Sequence, residues 1–141
     1  LKKGVISRED LYEVFPFGTR PIIVEVKGSD LMAIALRNAN TMLGVGSSRV
    51  LQQNGIIYSY RQRMEAAELV RVMVGESIVN PTKTYRVAVT DGILSKWSDL
   101  TGSPAPVDPI RPEYSVLELI ERRIRREMLE GPPAAGGTLL E

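Results

Sequence analysis

The stretch Ile22-Ile23-Val24-Glu25-Val26-Lys27-Gly28-Ser29-Asp30-Leu31 predicts a β-strand that is followed at once by a helix. Four of the first five residues are β-branched, which favours a strand, and Gly28 interrupts it. Ser29 is of a type that caps helices, and apolar residues recur at helical spacing from Leu31 to Met42. These signals predict a strand over residues 22–26 and a helix over about residues 30–42.

Two capping boxes predict where further helices begin. Ser7 and Asp10 form one box, and its helix must end ahead of Pro16 because the residue before a proline leaves the α region. Ser115 and Glu118 form the other, at the start of an apolar stripe near the end of the chain. The helices predicted from these boxes cover about residues 8–14 and 116–129.

Alternating and β-branched residues predict the strands. A hairpin is expected about Gly75-Glu76. Helices that pack on a sheet built from scattered strands define the α+β class, so we expect an α+β fold with a mixed β-sheet. The predicted strands lie near residues 22–26, 56–60, 69–79 and 85–89.

The length of 141 residues suits one domain with a core of its own. We expect a single domain over residues 1–130. Residues 101–113 contain four prolines and are expected to form an extended connector, and residues 114–130 form a closing helix. Gly131-Pro132-Pro133 ends that helix, so residues 131–141 are expected to be a mobile tail.

Composition excludes several kinds of chemistry. The chain has no cysteine and no histidine, so thiol catalysis, histidine general bases and zinc or iron–sulfur ligation by these residues are excluded. The 18 basic and 17 acidic residues give a net charge of +1, which does not favour a nucleic-acid binder. The sequence contains no apolar run of the roughly 18 residues that span a bilayer. We therefore expect no membrane segment and no nucleic-acid partner.

The run Arg122-Arg123-Ile124-Arg125-Arg126 leaves a nucleic-acid interpretation open. Glutamates in the same helix balance its four arginines, however. Glu118–Arg122 and Glu121–Arg125 have the spacing of ion pairs along a helix. A solvated helix face is therefore favoured over a nucleic-acid surface.

The turn Phe15-Pro16-Phe17-Gly18 presents two aromatic residues around a proline. Such rings are often core residues, but a ring at a helix-to-strand corner can also offer one face for stacking a planar base. Asp91 and Asp99 lie in a later segment with other polar residues, and their spacing alone establishes neither a metal cage nor an acid–base pair.

Three motifs carry a resemblance to a known family. The run from Gly4 to Gly18, with the letters GVISREDLYEVFPFG, closely resembles the opening of the C-terminal domain of the 5'-nucleotidase / UDP-sugar hydrolase family. The stretch Gln52-Gln53-Asn54-Gly55-Ile56 resembles that family's entry into a strand. The stretch Asn80-Pro81-x-Lys83-x-Tyr85-Arg86-Val87-Ala88 is similar to its "D-P-x-K-x-Y-x-V-A" segment. The resemblance covers about residues 4–100 and implies a layered α/β sandwich.

The resemblance implies a hydrolase with two domains. A calcineurin-like metallophosphoesterase domain on the N-terminal side would carry two divalent metal ions and act on the phosphate. That domain is not part of these residues, so no cofactor is expected in this chain. The chain would instead bind a nucleotide or a nucleoside-like small molecule and partner the metallophosphoesterase domain. The resemblance also implies a periplasmic, extracellular or cell-surface location.

In the family, a base is held between two phenylalanines. Phe17 matches the first of them, and Gly18 and Thr19 follow it in the turn. The second does not match, because alignment places either Gly92 or Ile93 at its position. The family's arginine-bearing "N-x-G-G-I-R" segment would precede residue 1.

Asp91, Trp97 and Asp99 complete the predicted substrate-binding set. Asp91 or Asp99 corresponds to the family aspartate, and Trp97 is either a substitute stacking ring or a core residue. The resulting hypothesis is a nucleobase-recognition domain, with no catalytic or metal-binding residue of its own. The alternative is a degenerate module that serves structure or protein contacts.

Overall fold

The computed structural model describes residues 7–14, 16, 18–46 and 49–130, with side chains as far as residue 126. Four strands follow one another between α2 and α3, and three helices come after them, a segregated order typical of the α+β class. In chain order they are α1 Arg8–Val14, β1 Ile22–Lys27, α2 Gly28–Met42, β2 Ile56–Arg63, β3 Ala66–Val74, β4 Ser77–Ile78, β5 Thr84–Val89, α3 Asp91–Leu94, α4 Trp97–Thr101 and α5 Val116–Glu130.

The chain divides into two compact units. The central unit comprises Ile22–Ile110, and the end unit combines Leu1–Pro21 with Arg111–Glu141. The predicted single domain over residues 1–130 remains a prediction, and the predicted tail over residues 131–141 lies outside the described residues. None of the described helices is long and apolar enough to cross a membrane.

The central unit contains two separate antiparallel sheets. β1 pairs with β5, and β3 lies between β2 and β4. The α+β class is confirmed, but among the described strands every pair is antiparallel, so the expected mixed sheet is replaced by two antiparallel ones. In the sheet of β2, β3 and β4 the reason is connection length, because turns of two residues join β2 to β3 and β3 to β4, whereas parallel strands need a long crossover.

The sequence placed the hairpin about Gly75-Glu76 correctly but missed the longer one before it. β2 and β3 pair from Ile56↔Val74 to Arg63↔Ala66 around a turn at Met64 and Glu65. Met64 adopts φ 53°, a left-handed conformation in which glycine or asparagine is usual. A methionine gives no sequence signal for that turn.

Helix α2 begins at Gly28, ahead of the predicted start. The Gly28 and Ser29 amides donate to the carbonyl oxygens of Lys83 and Pro81, each at 2.9 Å, so the turn after β4 satisfies the first helix amides. Ser29 is thus the second helical residue, and the prediction that it caps the helix is wrong. A Cβ on Gly28 would collide with the Asn80 carbonyl oxygen, which explains why glycine stands there.

The apolar core of the central unit forms around α2. One cluster joins β1 to α2 and α4, and a second joins Ala35 of α2 to Val72 and Val79. Asn38 of α2 is fully buried, accepts from the Leu51 amide at 2.9 Å and donates to the Leu51 carbonyl at 3.0 Å. The buried members of the first cluster are Ile22, Val24, Val26, Leu31 and Trp97.

The end unit is built from α1 and α5. Both predicted capping boxes are confirmed: the Ser7 hydroxyl accepts from the Asp10 amide at 3.1 Å, and the Ser115 hydroxyl accepts from the Glu118 amide at 3.2 Å. Arg8 and Glu121 form an ion pair between the two helices at 3.5 Å. Leu11 and Leu117 are the buried apolar residues of these helices among the side chains described.

Candidate functional site

Gly18 and Thr19, which follow Phe17 in the predicted stacking turn, belong to the end unit. Phe17 lies outside the described residues. Gly18 is exposed, and a Cβ built on it would meet nothing within 4 Å, so the chain there has open space beside it. Thr19 is half-buried, and its carbonyl oxygen accepts a 2.8 Å hydrogen bond from the Val116 amide at the start of α5. Thr19 therefore anchors that helix through its backbone.

Asp91 and Asp99 belong to the central unit. The segment that holds them folds into the short helices α3 and α4, which the sequence analysis did not predict. Each aspartate lies in the first turn of its helix, where the positive end of the helix dipole favours a carboxylate. Both aspartates are exposed.

Trp97 is the first residue of α4 and is only 1% exposed. It packs in the main core cluster with Ile22, Val24 and Leu31. Its indole Nε1 has no hydrogen-bond partner among the described groups. The core interpretation of Trp97 is the one observed, and its assignment to substrate binding is corrected, because a ring packed in the core offers no face to a ligand.

The positions aligned with the second family phenylalanine also lack a stacking surface. Gly92 is exposed and has no side chain, and the half-buried Ile93 packs against the main core cluster. Elsewhere, Tyr12 and Tyr114 are exposed, but Arg8 lies over the first ring and Arg122 lies 3.8 Å from the centroid of the second. Neither Gly92 nor Ile93 therefore supplies a ring for the second face of a base.

Sequence reasoning did not find a cleft on the outer face of β1 and β5. Its volume is about 450 Å³, within the range of ligand pockets. The paired backbone of Ile23 and Ile110 brings residues from the proline-rich connector against β1 and forms one wall. No local pattern predicts that bridge. The lining residues are Ile23, Glu25, Val26, Lys27, Thr84, Arg86, Val107, Asp108 and Ile110.

The charges in this cleft balance. Glu25 and Asp108 oppose Lys27 and Arg86, so the cleft does not have the positive field that phosphate recognition requires. None of the predicted substrate-binding residues that the structure describes lines it. The cleft therefore does not replace the predicted site as a nucleotide pocket.

Charged side chains elsewhere are engaged in local structure. Hydrogen bonds from Ser7 hold the pKa of Asp10 below its usual range, and hydrogen bonds from Ser115 do the same for Glu118. Arg61 lowers the pKa of Glu68, and Glu68 raises that of Arg61. These perturbations come from caps and surface pairs rather than from a catalytic cluster.

The helix face in α5 behaves as its charge pattern predicts. Arg125 and Glu121 approach to 3.5 Å, which confirms one predicted ion pair. Arg122 stacks on Tyr114. Two arginines of the run, Arg122 and Arg125, therefore contact residues of the same helix or of the segment just before it.

The family of this chain follows from comparison with known proteins. The family described as "5'-nucleotidase, C-terminal domain" matches residues 1–102. The chain belongs to this family. The resemblance carried by the motifs between residues 4 and 100 is thereby confirmed.

Two solved structures resemble this 5'-nucleotidase C-terminal domain. A 5'-nucleotidase precursor from Thermus thermophilus is 25% identical with a TM-score of 0.67, over 89% of this chain and 26% of that one. NAD nucleotidase (NadN) from Haemophilus influenzae is 19% identical with a TM-score of 0.65, over 86% and 24%, and shows a likeness of fold alone. This chain spans about a quarter of the length of either. None of the curated proteins matches it.

The residues present do not fit the two metal ions that the 5'-nucleotidase family implies. The described part of the chain holds no cluster of three or more acidic residues able to bind a metal, and the sequence has no histidine or cysteine. Divalent transition metals in proteins are bound mainly by those side chains together with carboxylates. The described residues therefore do not supply the ligands of such a centre.

Proposed function

We propose that this domain recognises the substrate of a 5'-nucleotidase-like phosphoester hydrolase whose catalytic domain lies outside the chain. The observation that carries the proposal is the family match over residues 1–102. The ligand class is a nucleotide or nucleoside-like small molecule. The partner is an N-terminal metallophosphoesterase domain of the same protein, and its two divalent metal ions perform the phosphate chemistry.

The lack of histidine and cysteine supports this division of labour. Phosphoester hydrolysis in the proposed partner needs a metal-activated water or hydroxide. This sequence has no histidine or cysteine that could bind such a metal ion. The role left to this domain is to position a ligand. Positioning contributes to catalysis by converting an encounter into a reaction between groups already aligned.

The proposed binding residues are Phe17, Gly18 and Thr19, with Asp91 and Asp99 as polar contacts. Only one stacking ring is present in this set. Loss of the second stacking face weakens binding by about 1–3 kcal/mol for each base. We therefore expect the domain to bind nucleosides weakly, with affinity that depends on Phe17.

Calorimetric titration tests the proposal. The ligands are AMP, adenosine, UDP-glucose and ribose 5-phosphate, and the last of these lacks a base. Saturable binding of the first three, lost in Phe17→Ala and retained in the matched variant Phe15→Ala, supports a recognition domain. Binding of ribose 5-phosphate with equal affinity contradicts base recognition.

A second candidate function is a structural or interaction module. The burial of Trp97 and the absence of a ring at Gly92 and Ile93 favour it. The same titration separates the two functions, because a folded chain that binds none of the four ligands supports the module. Circular dichroism on the titrated sample establishes that the chain is folded.

We propose a periplasmic or extracellular location for the protein. The support is indirect: the Thermus thermophilus 5'-nucleotidase that resembles this chain is described as a precursor. Cell fractionation with an antibody against this domain tests the location. Recovery in the cytoplasmic fraction contradicts it.

A further inference from the structure

The outer face of the β2–β3–β4 sheet carries an exposed apolar row. Ile57 pairs with Met73, and Met73 pairs with Ile78, so the three side chains lie side by side on one face. Ile57 and Ile78 are 68% and 67% exposed, and Met73 between them is half-buried. We refer to Ile57, Met73 and Ile78 as the apolar row.

The opposite face of this sheet is already occupied. Val72 and the half-buried Tyr58 and Leu69 pack in the cluster that contains Ala35 of α2. A β-bulge between Ser59 and Tyr60 places two residues of β3 opposite Ser59, and one of them, Val70, is 63% exposed. Val70 is thus a further exposed apolar residue of β3.

Two opposite charges lie on either side of the apolar row. Arg71 precedes Met73 by two residues on β3 and is exposed on the same face. Glu76 lies beyond the other end of β3, in the turn to β4, and is also exposed. Neither side chain forms an ion pair within the described part of the chain.

We propose that the apolar row is the centre of a symmetric interface with a second copy of this chain. A two-fold interface brings the same patch of both copies together. With the axis along the row, each Met73 faces its counterpart, and Arg71 of each copy faces Glu76 of the other. With the axis along the strands, Arg71 would face Arg71. The charges therefore select the first arrangement, in which the strands of the two sheets run antiparallel.

The packing geometry agrees with this arrangement. Sheets stacked face to face lie about 10 Å apart, a distance that pairs of Ile and Met side chains fill. The apolar row supplies three residues, far fewer than the roughly 20–30 that each partner contributes to a standard interface. We therefore expect a reversible dimer of modest affinity.

Sedimentation of the 141-residue chain from about 1 μM to about 1 mM covers the affinity range of small interfaces. A monomer–dimer equilibrium is expected. Met73→Glu places a charge at the centre of the row and is expected to abolish the dimer. Met64→Glu is the matched control, because Met64 is 88% exposed in the turn between β2 and β3, and dimerisation should be unchanged.

Charge reversal tests the orientation. Arg71→Glu and Glu76→Arg are each expected to weaken the dimer roughly tenfold, because each places like charges opposite each other. The double variant R71E/E76R restores the opposite charges and is expected to recover the affinity. Circular dichroism distinguishes a lost interface from a lost fold.

Three results overturn the proposal. The first is a monomer at every concentration, which leaves the apolar row to a different partner. The second is a dimer that Met73→Glu does not weaken, which places the interface elsewhere. The third is a double charge reversal that fails to recover the affinity lost in both single variants, which contradicts the pairing of Arg71 with Glu76.

Discussion

In the central unit, Trp97 is the largest fully buried side chain, is 1% exposed and packs with β1 and α2. In the end unit, by contrast, a serine caps each of the two helices, and an ion pair joins Arg8 of α1 to Glu121 of α5. Burial of a large ring contributes several times the free energy of a helix cap. Buried apolar contacts therefore stabilise the central unit, and local hydrogen bonds define the end unit. The proposed ligand residues are divided accordingly, with Gly18 and Thr19 in the end unit and both aspartates in the central one.

The largest expected effect is that of Trp97→Ala. Removal of this ring leaves a cavity in the main core cluster and lowers the free energy of unfolding by about 3–5 kcal/mol. Urea unfolding followed by circular dichroism measures the loss. Trp97→Phe is the control and should cost less, because it retains a ring and Nε1 has no partner to lose. If Trp97→Ala leaves the urea midpoint unchanged, the core described for the central unit is wrong.

Gly28→Ala tests a close approach in the same unit. The new methyl group would collide with the Asn80 carbonyl oxygen, so the backbone must shift, at a cost of about 1–3 kcal/mol. Gly92→Ala is the control, because the nearest atom to its added Cβ is the Thr90 hydroxyl oxygen at 3.9 Å. Unfolding of both variants by urea gives the comparison. Equal stability of the two alanine variants would contradict the contact between Gly28 and Asn80.

Features set by neighbouring residues could be predicted from the sequence. The box of Ser7 and Asp10 gave helix α1 with both ends correct, and the box of Ser115 and Glu118 gave the start of α5. A capping box acts over one turn, so its residues are close in the sequence as well as in space. The strands β1 and β5 also followed from local signals, β-branched residues in β1 and alternation in β5.

Features set by distant contacts could not be predicted. The sequence identifies Gly28 as a strand breaker, but only the fold shows that the Asn80 carbonyl oxygen lies where a Cβ on Gly28 would be. The segment from Asp91 to Thr101 forms α3 and α4, and Trp97 within it packs in the core with residues of β1 and α2, which are distant in the sequence. For the candidate site, the stacking role of Phe17 came from the family resemblance, since the chemistry of a Phe-Pro-Phe turn leaves core and ligand roles open.

A smaller effect is expected when a cap of the end unit is removed. Ser115→Ala deletes the hydroxyl that accepts from the Glu118 amide, which costs about 1 kcal/mol of helix stability. Hydrogen exchange at the first amides of α5 measures the loss. Ser29→Ala is the matched control, because Ser29 also lies in a first helical turn but its amide is held by the Pro81 carbonyl. Faster exchange in α2 of the control variant would show that Ser29 acts as a cap after all.

The smallest expected effect is a dependence on pH in the end unit. Ser7 and Ser115 lower the pKa values of Asp10 and Glu118 in the folded state, so both carboxylates bind protons less readily there than in the unfolded chain. Their contribution is complete above the unfolded pKa values and is lost as the pH falls through the folded ones, which lie below the ordinary values of 3.8 for Asp10 and 4.5 for Glu118. The amide signals of α1 and α5, followed by NMR as the pH is lowered, should report the loss. Ser7→Ala and Ser115→Ala should reduce the pH dependence of these signals.

Glu68 of the central unit has its pKa lowered by Arg61 instead, so its titration should stay the same in both serine variants. If the serine variants keep the full pH dependence in α1 and α5, hydrogen bonds from the caps are not its cause, and the end unit is not defined by them.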